Sequence, residues 1–469
     1  MRVLLSLAVL AAFLGAAAAG CRREPVRPYV LLVTIDTLRA DHCSTYGYRP
    51  DTTPVMTRLA QSGVLFRAAY APSATTAPSH AALLTGRHFR GLGVLKNGHV
   101  VADDAQTIAE ALAEQGYATA GFVSSYPVIS KFGFDQGFQV YDDEFLEEEA
   151  SLGRRNGGIT HDRLAEATAN RFIAWLKKRH DDKPVFAWVH FVDPHFPYRA
   201  PEKFDGGWSH DVASIIRKYD AEIRYADRHL GRIVDEFERA AGDAGALIIV
   251  TSDHGEGLGD HGWKSHGINL YEEAVRIPLV ARWTGHLPAG RVVETPVSLV
   301  DVAPSILSAI GAAPLAISEG DDMFGDLDEG RLIFLQRRAY KNNEVRGKVV
   351  RGEMTAVVQR DSKYITAPDE KRRELYDLRD DPKEVRDLLR KPDVITPLSA
   401  SPPPAPAGDA GAGAAAPDAG AARAGDVERR AELYDAELER WRQATPVPDN
   451  EVPLDKESLQ ALRALGYVE

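Results

Sequence analysis

Three short apolar runs, Tyr29 to Ile35, Val185 to Val192 and Leu247 to Ser252, stand out along the chain. They are rich in β-branched or aromatic residues and lack the alternation of a half-exposed strand, so they read as strands buried on both faces. Helical periodicity lies between them, over Ala105 to Gln115, closed by Gly116, and over Leu164 to Lys178. Strands alternating with helices predict an α/β domain, a mainly parallel central sheet flanked by helices. The first run leads into Asp36; the second carries His190 and leads into Asp193 and His195; the third leads into Asp253 and His254. Ligands of open α/β sheets bind beyond the carboxyl ends of the strands, so these residues are expected to gather at one edge.

Beyond Gly311 the texture changes. Arg331 to Arg337 and Lys348 to Thr366 read as strands of a second, antiparallel sheet in a smaller C-terminal α+β subdomain spanning 311–395. Thr396 to Gly425 is dominated by Ala, Pro, Gly and Asp, too little to bury for folding, and is expected to be a flexible linker. In the tail, 426–469, Ala431, Tyr434, Leu438 and Trp441 share one helical face that can dock onto the body, and Leu459, Leu462 and Leu465 form a second apolar stripe.

The N-terminus reads differently. Arg2 followed by Val3 to Ala19 has the form of an export signal, assigned to 1–20. Ala18-Ala19-Gly20-Cys21 resembles the lipobox of bacterial lipoproteins, with Ala18 where Leu is usual. That resemblance implies a lipidated Cys21, a tether over 21–28, contact with the bilayer, and a periplasmic or cell-surface location. An ordinary cleaved signal and an uncleaved anchor are the alternatives. If Cys21 is acylated, Cys43 alone remains and no intramolecular disulfide can form. No other apolar run approaches the roughly 20 residues that span a bilayer.

Composition then narrows the class. A chain of 469 residues with 44% hydrophobic and 26% charged positions suits an enzyme with a large domain, 29–310, and a smaller companion. A net charge of −12 argues against nucleic acid as a partner. An anionic substrate would need a local cluster of cations. The composition leaves the oligomeric state open.

Thr76-Ala77-Pro78-Ser79-His80 precedes the apolar run Ala81 to Leu84 and then Thr85-Gly86. Pro78 fits a first helical turn and Gly86 its exit, which sets Thr76 just ahead of a helix N-terminus. There a hydroxyl can attack a phosphorus or sulfur centre while backbone N–H groups hold the developing charge. Taken alone, it reads as a plain capping threonine.

The surrounding motifs carry a resemblance. Thr34-Ile35-Asp36-Thr37-Leu38-Arg39-Ala40-Asp41, ending at Tyr46-Gly47, looks like the opening motif of the sulfatase family within the alkaline phosphatase superfamily. Thr76 to Gly86 matches its nucleophile motif, and Val189 to His195 resembles its substrate-histidine segment. Asp253-His254-Gly255-Glu256, Asp260-His261-Gly262 and Leu270 to Glu273 match its metal segment; Ser298 to Pro304 and Glu374 to Leu378 resemble later landmarks. The resemblance implies that Asp36, Asp253 and His254 hold one divalent ion, with Thr76 completing the sphere. Oxygen ligands with one imidazole suit Mg²⁺, Ca²⁺ or Mn²⁺, and Zn²⁺ is compatible. It further implies that His195, His266 and Lys264 hold substrate oxygens or protonate the leaving group, and that Asn97 and His80 contact the substrate.

The departures matter as much. Thr37 replaces the second aspartate of the family's Asp-Asp pair, His80 replaces the motif arginine, and Thr76 replaces Cys or Ser. Formylglycine is an aldehyde, and a secondary alcohol cannot be oxidised to one, so none is expected here. Threonine nucleophiles occur in relatives that act on phosphodiesters. Gly257-Leu258-Gly259-Asp260-His261-Gly262 spells a dinucleotide fingerprint, but no acid follows at the end of another strand about 20 residues on. The expected activity is phosphodiester hydrolysis or transfer through a covalent threonine ester. Sulfate-ester hydrolysis without formylglycine is the alternative, and a non-catalytic binding protein with the same fold is the alternative of another class.

Overall fold

A computed structural model describes residues 27–146, 162–198, 200, 204, 212–345, 348–390, 419–448 and 454–464. The expected export signal (1–20), the lipobox Cys21 and most of the linker (396–418) lie outside the described residues. The larger sheet contains Tyr29–Ile35 (β1), Val64–Phe66 (β2), Ala118–Phe122 (β3), Val140–Asp142 (β4), Val185–Phe191 (β5), Ala246–Ser252 (β6), Leu279–Arg282 (β7) and Arg291–Val293 (β8). Their lateral order is β8-β2-β7-β6-β1-β5-β3-β4. All neighbours run parallel except β7, which is antiparallel to β2 and β6.

The three apolar runs thus become β1, β5 and β6, adjacent at the centre. Every residue of β5 and β6 is buried. Successive side chains serve opposite faces: Val30 and Leu32 join Trp188, Leu247 and Ile249 in one core, while Leu31, Val33 and Ile35 join Val189, Ile248 and Val250 in the other. Helices Pro54–Gln61 (α1), Thr76–Thr85 (α2), Ile108–Glu114 (α3), Ala165–Lys178 (α4), Val212–Ala241 (α5) and Val302–Ala309 (α6) cover both faces. Helices α2, α3 and α6 pack on the first core, and α1, α4 and α5 on the second. Helix α3 starts later than its apolar periodicity suggests. Thr107 and Glu110 form a capping box, so the chain ahead of Thr107 stays outside the helix.

A second sheet follows, antiparallel throughout: Ile333–Val345 (β9), Lys348–Gln359 (β10), Ser362–Ala367 (β11) and Arg372–Asp377 (β12). The expected Lys348–Thr366 stretch is two strands, turned at Arg360, whose φ is 52°. One face of this sheet, with Leu335, Met354 and Ile365, packs on Tyr70, Leu270 and Val275 of the larger domain. The other, with Val357, Tyr364 and Leu375, receives Ala431, Tyr434, Leu438 and Trp441 of Ala419–Ala444 (α7). Helix α7 takes in Ala419 to Gly425, which composition assigned to the linker; alanine-rich sequence propagates a helix once a packed segment nucleates it. Lys456–Ala464 (α8) follows. Among the described residues no helix is long and apolar enough to cross a membrane.

Candidate active site

Strand register sets the floor of the site. Ile35 stands level with Phe191 and Ser252, so the residues after β5, β1 and β6 emerge side by side. Asp193 does not join the group: its Oδ2 accepts the Ala165 N–H at the start of α4, 2.8 Å away. Asp36, Asp253 and His254 do. All three are fully buried, and each offers a ligand atom within 4.8 Å of the others.

Local bonding leaves those atoms facing inward. Asp253 Oδ1 accepts the backbone N–H groups of Thr37 (3.1 Å) and His254 (2.8 Å), while Oδ2 has no hydrogen-bond partner. Thr37 aims its N–H from a left-handed backbone, φ 56°, a costly conformation for a β-branched residue. His254 donates its Nδ1–H to the Gly255 carbonyl at 2.9 Å, which leaves Nε2 as a lone pair, 3.4 Å from Asp253 Oδ2 and 3.8 Å from Asp36 Oδ1. Burial, with His266 adding to it, brings the His254 imidazole down to about 3, so it is neutral as a ligand must be. Burial pushes the Asp253 carboxyl up. An unpartnered buried carboxylate oxygen facing an imidazole lone pair is satisfied by a cation, and two carboxylates with one imidazole fit a divalent ion.

Thr76 is the first residue of α2 rather than the one before it. Thr75 is the N-cap and makes no side-chain capping bond, so the capping alternative fails for Thr76. Its Oγ1 lies 3.3 Å from His254 Nε2. Asn97 Oδ1 accepts the Ala77 N–H at 2.8 Å, so Asn97 sits at the same helix end with its NH₂ as the donor.

His80 is one turn further along, fully buried, and bonded on both ring nitrogens. Its Nδ1–H donates to the Thr76 carbonyl (2.9 Å), so Nε2 accepts from the Thr34 hydroxyl (3.1 Å). That hydroxyl accepts in turn from Trp188 Nε1 (3.0 Å) and His190 Nδ1 (3.2 Å), and His190 Nε2 accepts from the Ser125 hydroxyl (2.9 Å). Burial lowers the pKa of both histidines, consistent with neutral rings throughout. The substrate contact expected of His80 is corrected accordingly. The ring braces the nucleophile's backbone and has no nitrogen left for a substrate.

On the other flank His266 and His195 face each other with ring centroids 5.1 Å apart, and His266 lies 4.6 Å from His254. Glu256 Oε1 holds His266 Nδ1 at 3.2 Å, and Glu256 Oε2 accepts from Tyr198 at 3.0 Å. Burial opposes protonation of His266, but Glu256 outweighs it and the pKa is raised. His195 Nδ1 donates to the Phe196 carbonyl at 2.8 Å. Lys264 is exposed, and no described contact ties it to this group. Thr34, Ser125, Tyr198 and Glu256 were not singled out from the sequence, although Thr34 and Glu256 sit inside the quoted motifs. The fingerprint-like glycines enter a short 3₁₀ turn, Asp260–Gly262, and Gly255 lacks room for a Cβ against the Glu273 carbonyl.

Residues 28–312 match the sequence profile of the sulfatase family, and residues 259–399 match that of the C-terminal region of N-sulphoglucosamine sulphohydrolase. The chain belongs to the sulfatase family. Sulfatase relatives include an N-acetylglucosamine-6-O-sulfatase of Bacteroides thetaiotaomicron, 23% identical over 79% of this chain and 84% of its own length. An N-acetylgalactosamine-6-sulfatase of Sus scrofa is 28% identical over 70% of this chain and 72% of its own. The phosphonate monoester hydrolase of Agrobacterium radiobacter shares the fold, with a TM-score of 0.63 at 24% identity over 77% of this chain and 91% of that one. Sulfatase-family enzymes are metal-dependent; this chain is a hydrolase of ester bonds of that family, and its Asp36, Asp253 and His254 form a group that could hold a metal ion.

Proposed function

We propose that this sulfatase-family enzyme cleaves a singly charged phosphoric ester, a phosphodiester above all, through a covalent ester on Thr76. The carrying observation is the Thr76 hydroxyl, at the N-terminus of α2 and 3.3 Å from His254 Nε2. A divalent ion held by Asp36, Asp253 and His254 would supply positive charge that lowers the hydroxyl's pKa and neutralises a substrate oxygen. Thr76 Oγ forms the new bond to phosphorus and the bond to the leaving alcohol breaks. The Thr76 proton passes to solvent as the hydroxyl ionises, and His266, whose protonated form Glu256 favours, with His195 beside it, gives a proton to the leaving oxygen. Water, or an acceptor alcohol in a transferase, then attacks the same phosphorus and frees Thr76.

Charge supports a monoanionic group. Burial disfavours charge on His80 and His190, Lys264 is exposed, and Arg39 is committed to Asp41 (2.8 Å) and Asp260 (2.7 Å). Little remains to hold a dianion. A sulfate monoester also carries one charge, and the sulfatase names of the relatives favour it as the second reading, without formylglycine. Lipidation at Cys21 would place the enzyme on the outer side of a bacterial membrane. The deciding assay sets the purified protein against aryl phosphodiester, phosphonate ester, phosphomonoester and sulfate with Mg²⁺, Mn²⁺, Ca²⁺ or Zn²⁺. Preference for the phosphomonoester would overturn the charge argument.

A further inference from the structure

The chain after residue 399 lies beyond both matched family profiles, yet its last described helix reaches the active-site loops. Asn97, which holds the first turn of α2, is followed by Gly98 at φ 89°. A Cβ on Gly98 would lie 2.5 Å from Leu454 and 2.9 Å from Leu462, so the tail packs directly on this backbone. Ala461 and Leu462 are buried in the core that also holds Val94, Val101 and Tyr126. The same helix touches the loop whose Ser125 bonds His190: the Tyr126 hydroxyl donates to Ser458 Oγ at 3.3 Å. Asp455 accepts the Ser458 N–H at 2.8 Å and pairs with Lys131 at 2.8 Å, pinning the start of α8.

We propose that α8 is a positioning element of the active site. It clamps the Asn97–Gly98 and Ser125–Tyr126 loops and so fixes the helix end that carries Thr76. The inference rests on the proposed role of Thr76, not on which ester is cleaved. Only glycine at position 98 lets Leu454 and Leu462 approach this closely.

The test compares the full chain with one ending at Pro448 and with Leu454→Ala/Leu462→Ala, which keeps the tail but thins its contact. Misplacing a catalytic group by about 1 Å can cost roughly 10²-fold. Either variant should therefore lose about tenfold or more in kcat, with KM little changed and bound metal retained. Synthetic peptide 449–469 should restore turnover to the truncated enzyme. Hydrogen exchange over residues 93–99 should rise in both variants and fall again with peptide. If no ester is turned over by the full chain, the proposed function fails and the exchange measurement still judges the clamp. Unchanged exchange, or unchanged kcat in both variants of an active enzyme, would overturn it.

Discussion

The Thr76 hydroxyl and His254 Nε2 lie 3.3 Å apart, and because Nδ1 of that ring is committed to the Gly255 carbonyl, Nε2 meets the hydroxyl as a lone pair. A hydroxyl that merely capped a helix would be turned toward backbone N–H groups. Thr76→Ala should therefore lower turnover by several orders of magnitude, up to about 10⁶-fold as loss of a serine-protease nucleophile does. Stability should change by no more than about 1 kcal/mol, because Thr75 holds the cap position. Thr76→Ser should keep a fraction of the activity. Rapid quenching should trap the transferred group on Thr76 in the wild type, a phosphoryl group still carrying its second ester from a diester, or sulfate from a sulfate ester. An active alanine variant would make the hydroxyl a spectator.

Asp253→Asn tests the ion. The amide has one oxygen, and the Thr37 and His254 N–H groups will claim it, turning the NH₂ toward the cation. Metal content by elemental analysis should fall well below that of the wild type, and EDTA should abolish wild-type activity. Full turnover by metal-free protein is the contrary result.

Buried neutral histidines make stability depend on pH. Burial brings His88 and His254 down to about 3 and lowers His80 and His190. Each takes up its proton near 6.5 only after unfolding, so their contribution is present above that value and is lost as pH falls toward their folded pKa values. The slope is at most about 1.4 kcal/mol per pH unit per histidine. Asp227 and Glu384, pushed up to about 7 by burial, act in the opposite sense between the ordinary carboxylate range and 7. The clean readout is thus a difference: urea unfolding of His88→Gln, far from the metal group, should show a shallower loss of stability between pH 6.5 and 4 than the wild type. Parallel curves would contradict it.

The lipobox makes a cellular prediction. An inhibitor of lipoprotein signal peptidase should cause precursor to accumulate, and Cys21→Ser should release the protein from membranes or leave it uncleaved. Normal processing and membrane retention of the variant would point to another anchor.

The gathering of Asp36, Asp253 and His254 was legible because they sit directly after strands, but Asp193 follows a strand too and turns to the Ala165 N–H, so it was the family resemblance that singled out the three as ligands. Residues on loops were harder to place. Lys264 and His266 are two positions apart, yet one is exposed and the other is held by Glu256, a difference that spacing in the sequence does not reveal. His80 was expected to contact substrate at the position of the motif arginine, whereas its surroundings supply a carbonyl and a hydroxyl that occupy both ring nitrogens. The Lys363 group escaped altogether. Its Nζ lies 2.9 Å from Glu272 and 3.0 Å from Glu384, joining segments that sequence spacing does not relate.

The row of bonds from Ser125 to the Thr76 carbonyl has a direction, since a carbonyl can only accept. Put an arginine at position 80, a group that only donates, and the Thr34 hydroxyl loses the acceptor for its own proton. His190 would then have to adopt its other tautomer and donate to Ser125. A letter changed in one motif is thereby answered by a proton moved on a different strand. Recreating the family's whole nucleophile motif, cysteine at 76 together with arginine at 80, would for this reason be an edit of a sentence, not of a word: the protons at positions 34, 125 and 190 have to change their grammar with it.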